Sequence, residues 1–272
     1  MMNKKTSGTQ YKGREVRKPF LTGSAFDEHT IRQSLVFFGT MVIVFLVTFI
    51  ACASASFSSL VLRLILNLAV IAVSLMIFYN NGAGRGSDAV TRGEILYMKK
   101  EKGESFSESE RKICFHPMKG FLIGLIGTLP FLAAAVMLAV NTTVQTTASG
   151  TLPSWMQVYI RRSDIGNALV NYTQPEGMNL VDYIRAFVRI CIIPFINIIG
   201  YSDKTGMLII ERISPLILLL PAASYGTGYI TGKKIRTRIH TVISENDRKR
   251  VRTENRRRKR NSSRSREPEQ LN

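Results

Sequence analysis

This chain has little of what most chemistry at a protein site requires. Its 272 residues include three cysteines, three histidines and one tryptophan, and its 19 acidic residues are outnumbered by 37 Lys and Arg. Cys52, Cys114 and Cys191 share no paired spacing, which argues against a disulfide framework and a cysteine-based zinc site. The run Cys114-Phe-His116-Pro-Met118 brings a thiol, an imidazole and a thioether together. His29 and His240 lie elsewhere in basic, polar surroundings and complete no ligand set, so neither a metal nor a cofactor is expected. Gly-x-Ser-x-Gly, His-Glu-x-x-His and Walker sequences are all missing, and Glu211 is the one carboxylate within a spanning segment. No catalytic residue is assigned.

Charge is missing from long stretches as well. Residues 33–79 carry one charged side chain, Arg63, whereas residues 233–266 carry fifteen Lys or Arg against three acids. Apolar and charged blocks that stand apart in this way point to a bilayer as the solvent of the apolar ones. Five apolar segments appear: 34–55, 58–79, 120–140, 180–201 and 207–230. Four are long enough to cross, since a span needs about 20 mainly apolar residues. The remaining one, 180–201, sets Asp182, Arg185 and Arg189 on one helical stripe and Ile184, Phe187, Val188 and Cys191 on the other, with Pro194 beyond. The expected fold is all-α: a polytopic membrane helix bundle with four spanning helices plus one interfacial or re-entrant segment, five spans being the alternative. The first thirty residues are polar and basic without a cleavage pattern, so the first membrane helix is expected to act as an uncleaved insertion signal.

Lys and Arg concentrate in segments 1–33, 80–119 and 232–272, and are sparse in 141–206. The positive-inside rule therefore predicts both termini and the 80–119 loop in the cytoplasm and 141–206 outside, a cell-membrane topology that needs an even number of crossings. The expected organisation follows: a basic N-terminal segment 1–33, a transmembrane hairpin 34–79, a cytoplasmic helical loop 80–119 and a span 120–140. An outer loop 141–206 with the amphipathic or re-entrant segment comes next, then a span 207–231 and a basic tail 232–272, amphipathic first and disordered after. Within the loop, Asn80–Gly86 reads as a flexible turn. Thr91-Arg-Gly-Glu94 and Ser107-Glu-Ser-Glu110 have capping-box spacing, predicting helices over 92–102 and 108–115 that stop at Gly103 and Pro117. Asn141 and Asn171 open sequons that matter only in a secretory eukaryotic cell, whereas the composition of Met1–Lys5 reads as bacterial.

Candidate functional residues fall into three groups. Arg63, Asn67, Arg185, Arg189, Glu211 and Arg212 form an expected intramembrane polar cluster, because ionisable groups in hydrocarbon need a partner or a function. Gly120, Gly124 and Gly127 are expected to pack helices closely, while Pro130, Pro215 and Pro221 are expected to kink or break theirs. Lys233, Lys234, Arg236 and Arg238, and further on Arg256, Arg257, Arg258, Lys259 and Arg260, are expected to bind anionic inner-leaflet lipids or a partner. That partner would be another membrane or cytoplasmic protein; nucleic acid or ribosome contact by the tail has less support, since the tail lacks aromatics for base stacking. The residues favour a non-catalytic membrane component, an accessory or scaffold protein. The alternative is a small transporter or channel using Arg63 and Glu211.

Overall fold

The computed structural model describes residues 15–53, 59–142, 159, 162, 164–165, 179–200 and 203–264, with the backbone alone at 60, 204 and 260–264. The described residues form an all-α bundle of seven helices: α1 Glu28–Ala53, α2 Leu60–Glu101, α3 Glu108–Lys112, α4 Lys119–Asn141, α5 Leu180–Cys191, α6 Ile193–Ile199 and α7 Lys204–Arg264. Helices α1, α2, α4 and α7 are long and apolar enough to cross a membrane. Their surface is the reverse of a soluble protein's. Leu35, Val61 and Leu216 are about two-thirds exposed at 70%, 65% and 68%, while Asn67 and Glu211 are buried at 1% and 2%. Lipid accepts the first set at no cost and makes exposure of the second set costly. The chain is a multi-pass membrane protein.

Helices α2 and α7 run parallel and set the frame. Ser224 Oγ donates to the Leu75 carbonyl at 2.8 Å, and further along the same seam Arg236 and His240 meet Glu94. Between these points lie two pairs of glycines spaced four apart, Gly82 and Gly86 on α2 and Gly228 and Gly232 on α7. A Cβ on Gly82 or Gly86 would collide with the carbonyl oxygen of Tyr225 or Tyr229, and one on Gly228 with that of Tyr79. Backbone touches backbone here, as small-residue spacing permits in membrane helices.

This seam corrects the expectation of a flexible turn at Asn80–Gly86, since α2 passes through it unbroken. Each interior glycine costs a helix about 0.5–1 kcal/mol, and the close approach to α7 offsets that cost. The Thr91–Glu94 spacing starts no helix either: the Thr91 hydroxyl donates back to the Ser87 carbonyl at 2.9 Å within α2. The second spacing does cap a helix, Ser107 Oγ accepting from Ser109 N–H and Glu110 Oε2 from Ser107 N–H, although α3 ends at Lys112. Gly103, at φ +77°, ends the preceding helix in a conformation that favours glycine.

Two short helices fill the centre of the bundle. α5 has 12 residues and α6 has 7, so neither can span. The chain breaks between them at Ile192, where Pro194 suits the start of α6 because its missing N–H would have no helical partner there. The tip reaches Thr48, Ser74, Phe78 and Leu218, where Cys191, Pro194 and Phe195 help line a small apolar cavity of about 50 Å³. Both limbs run back towards the same side: Arg185 on α5 meets Glu211 near the start of α7, and Gly200 after α6 lies beside the Arg63 guanidinium near the start of α2. The segment is a re-entrant hairpin in shape.

Prolines 130, 215 and 221 sit inside continuous helices and break none of them. Pro215 cannot donate to the Glu211 carbonyl, and the Ser214 hydroxyl does so instead at 2.8 Å. α7 also continues without interruption to Arg264. The expected amphipathic helix continuing from the last span is present, whereas the expectation of disorder from Arg248 is corrected over 248–264, where good helix formers, chiefly Arg and Lys, extend the helix; residues 265–272 lie outside the described residues.

Candidate functional site

Charged residues gather at both ends of the bundle. At the hairpin end, the capping pair Asn179 and Asp182 starts α5, and one and two turns on Arg185 and Arg189 point at α7. Arg185 Nη1 donates to Asp182 Oδ1 at 2.8 Å and its Nε to Glu211 Oε2 at 3.4 Å. Arg189 Nε donates to Glu211 Oε1 at 2.8 Å, and the Thr142 hydroxyl at the end of α4 donates to Glu211 Oε2. Both carboxylate oxygens are therefore engaged by donors from α4 and α5. The network ties the hairpin to two spans.

The other residues of the expected polar cluster lie elsewhere. Asn67 is buried against α1, accepting from Cys52 Sγ at 3.4 Å and donating to the Arg63 carbonyl at 2.7 Å. Arg63 sits beside Gly200, and its Nε has no hydrogen-bond partner among the described residues. Arg212 faces outwards between the exposed Ile209 and Ile213. The structure thus joins Arg185, Arg189 and Glu211 and leaves Arg63, Asn67 and Arg212 apart from them. Gly120 lies against the Tyr229 ring, Gly124 against Ala222, and Gly127 against Phe37 and the Ser34 carbonyl, so all three sit at helix contacts.

The basic end is built differently. Residues 15–27 run as an irregular strap whose backbone donates at three points: Val16 N–H to Thr241 Oγ1 at 3.1 Å, Leu21 N–H to the Gly93 carbonyl at 3.1 Å, and Gly23 N–H to the Phe115 carbonyl at 3.0 Å. Between strap and α7 lies a groove of about 860 Å³, with Arg17, Lys18, Lys233, Lys234, Arg236 and Arg238 on its walls. Phe20 carries the Lys233 ammonium 5.3 Å from its ring centre and meets Phe115 edge-on, while Phe115 stacks on Tyr229 at 5.4 Å. Glu94 at the base is neutralised from one side by Arg236, at 3.0 Å, and bonded from the other by His240, at 2.8 Å. Arg17 takes Glu15 at 2.8 Å. Lys18, Lys233, Lys234 and Arg238 form no ion pair among the described residues.

A second buried pair anchors the strap to α4. Lys119 Nζ meets Asp27 Oδ2 at 2.8 Å and the Lys112 carbonyl at 3.0 Å, and Asp27 Oδ1 accepts from Thr30 N–H at 2.7 Å, capping α1. Burial pushes the Asp27 carboxyl up, but the hydrogen bonds from Lys119 and Thr30 and the lysine charge together outweigh it and hold the group below the usual carboxylate value. Burial raises the nearby Cys114 thiol, keeping it protonated and unreactive.

Farther along α7, Arg256, Arg257, Arg258 and Lys259 are exposed, and Arg258 pairs with Glu254 at 2.9 Å; the Arg260 side chain lies outside the described residues. Sequence reading missed the strap residues Arg17, Lys18 and Phe20, and it missed Glu94 with His240. The four-residue spacing of Arg236 and His240 was the available signal, since it puts both on one helix face where one acid can serve them. Comparison with family models, with curated proteins and with solved structures finds no match.

Proposed function

We propose that this protein is a non-catalytic membrane scaffold or accessory component whose cytoplasmic face binds anionic lipid. The positive-inside rule puts the basic end in the cytoplasm, with both termini, against a leaflet that attracts Lys and Arg by about 1 kcal/mol each near the surface. The observation that carries the reading is the surplus of cations around the groove, where four basic side chains converge after Glu94 and Glu15 have found their own partners. The exposed Arg256–Lys259 stretch extends the same positive surface.

The test is lipid composition around the intact protein. Full-length chain is extracted into polymer-bounded nanodiscs from membranes of mixed anionic and zwitterionic lipid, and the disc lipid is compared with the bulk. Enrichment of the anionic lipid is expected, falling to the bulk ratio when 244–272 is deleted and Lys233, Lys234 and Arg238 are changed to Gln. Bulk composition around the wild-type chain would overturn the reading. The transporter alternative has less support, because Glu211 spends both oxygens on donors inside the bundle. It requires a solute flux in proteoliposomes that Glu211→Gln abolishes.

A further inference from the structure

We infer that the groove between the 15–20 strap and α7 is a discrete site for one anionic phospholipid, distinct from the diffuse positive surface of the rest of α7. This deepens the proposed lipid-binding role and rests on it. Three features separate the groove from a solvated run of charge. It has two walls, because the strap is pinned to α7 at Val16 and to α2 at Leu21, so that residues 17–20 between these points line the groove. It has an amphiphilic lining, with Phe20, Pro19 and Val90 among the cations. And its volume of about 860 Å³ falls within the roughly 300–1,000 Å³ of sites that enclose small molecules, well beyond what a bare phosphate fills.

The lining chooses among anions. A phosphate group alone would use the cations and leave Phe20 and Val90 unoccupied. A phosphodiester carrying glycerol and the upper part of its acyl chains would set its charge among Lys18, Lys233, Lys234 and Arg238 and its apolar part against Phe20, Pro19 and Val90. Phe20 gains from the same arrangement, since Lys233 already lies over its ring. Arg236 contributes shape more than charge, its guanidinium being spent on Glu94. Lys233, Lys234 and Arg238 also sit within the first turns of α7 beyond the apolar stretch that ends at Ile230, the depth at which a headgroup lies.

Native mass spectrometry of the full chain in neutral detergent counts bound lipid directly. With phosphatidylglycerol added, one retained lipid per chain is expected, and with phosphatidylcholine none at the same concentration. Lys233→Gln with Arg238→Gln, both exposed positions, should weaken retention at least tenfold, at about fivefold for each cation lost. Arg256→Gln with Arg257→Gln and Arg258→Gln should leave it unchanged, and an unaltered melting midpoint in both variants shows that the fold persists. Equal retention by the Lys233 and Arg238 variant would overturn the site. Loss confined to the Arg256 variant would also overturn it, while the broader lipid-binding role would stand. Displacement of the lipid by excess inorganic phosphate would overturn the phospholipid assignment in favour of a small anion. No preference for the anionic lipid in any form would remove the site and the proposed function together.

Discussion

Both ends of this bundle gather charged side chains, and they use them in opposite ways. At the hairpin end, Arg185 and Arg189 meet Asp182 and Glu211, cation matched to carboxylate, and Glu211 is 2% exposed. At the basic end, the acids are used up at the base of the groove and cations remain along its rim. The first arrangement is closed: Glu211 is spent on Arg185, Arg189 and Thr142, which hold α5 and the end of α4 to α7. The second is open and has attraction to offer. Intramembrane charge is thus not by itself a mark of function, because what remains after internal pairing decides what the charge can do.

The comparison breaks first at Glu211. Glu211→Ala removes the carboxylate that Arg185 and Arg189 share and leaves the buried Arg185 with Asp182, and truncating one partner of such a network costs about 3–5 kcal/mol. A large drop in the thermal unfolding midpoint in detergent is expected, whereas Lys234→Gln on the open rim should stay within about 0.5 kcal/mol of the wild type. Comparable midpoints for the two variants would show that the hairpin end is not closed in the sense argued.

Asp27 and Lys119 bring a closed pair to the basic end, and there acid separates the two kinds of charge. The folded-state pKa of Asp27 lies below its ordinary value, so the stability it contributes is fully present above that value and is lost as pH falls through the lowered one. Below the ordinary carboxylate value of 3.8 the wild type should therefore lose stability that Asp27→Asn, already lacking the charge, does not lose. At neutral pH the same substitution should be destabilising by roughly 3 kcal/mol, since it leaves Lys119 buried at 1% exposure without its counter-ion. Matching acid-unfolding profiles for the two proteins would count against the pair as a source of stability.

How much of this was legible in the sequence depends on the range of the interaction. The four apolar helices follow from local composition, because a bilayer sorts residues by transfer energy alone and the count of about 20 apolar residues is a length. The shortness of 180–201 was legible for the same reason. The Asn80–Gly86 run was misread because its glycines favour a turn locally, and only the opposing Gly228 and Gly232, nearly 150 residues away, make helix the better state. The expected polar cluster failed in a similar way. Arg185, Arg189 and Glu211 share a depth and a contact, but depth alone admitted Arg63 and Arg212 as well, and the azimuth of each helix is fixed by packing that no periodicity reveals. The strap escaped notice because residues 15–27 carry no regular pattern and owe their place to three backbone donors.

The glycine seam yields a middle-sized effect that links both ends, since α2 and α7 carry the groove at one end and Arg63 with Glu211 at the other. Gly86→Val adds three methyl-sized groups where one would already strike the Tyr229 carbonyl, and overpacking of this kind costs about 1–3 kcal/mol. The parallel pair can relieve it only by parting, which should also pull Glu94 away from Arg236 and His240. Gly84, with nothing within 4 Å of a built Cβ, is the control: Gly84→Ala should stabilise α2 by a fraction of a kcal/mol. Equal loss at both positions would mean that helix propensity, not the seam, governs the region.

The smallest effect is the most discriminating between sequence and structure. Arg212 follows Glu211 directly, and depth in the membrane gives no reason to separate them. Helical geometry turns successive residues about 100° apart, so that with Glu211 facing the hairpin Arg212 lies between Ile209 and Ile213 on the exposed face, without an ion pair among the described residues. Its stem can run along apolar surface and its guanidinium reach the boundary, an arrangement that contributes little beyond packing. Arg212→Leu should therefore shift the unfolding midpoint by no more than about 0.5 kcal/mol in either direction. Arg185→Leu, on the buried side of the α5–α7 contact, should cost several times as much by leaving Glu211 with one guanidinium fewer. If the two leucine variants lose stability alike, Arg212 belongs to the closed network after all and the boundary drawn around that network is wrong.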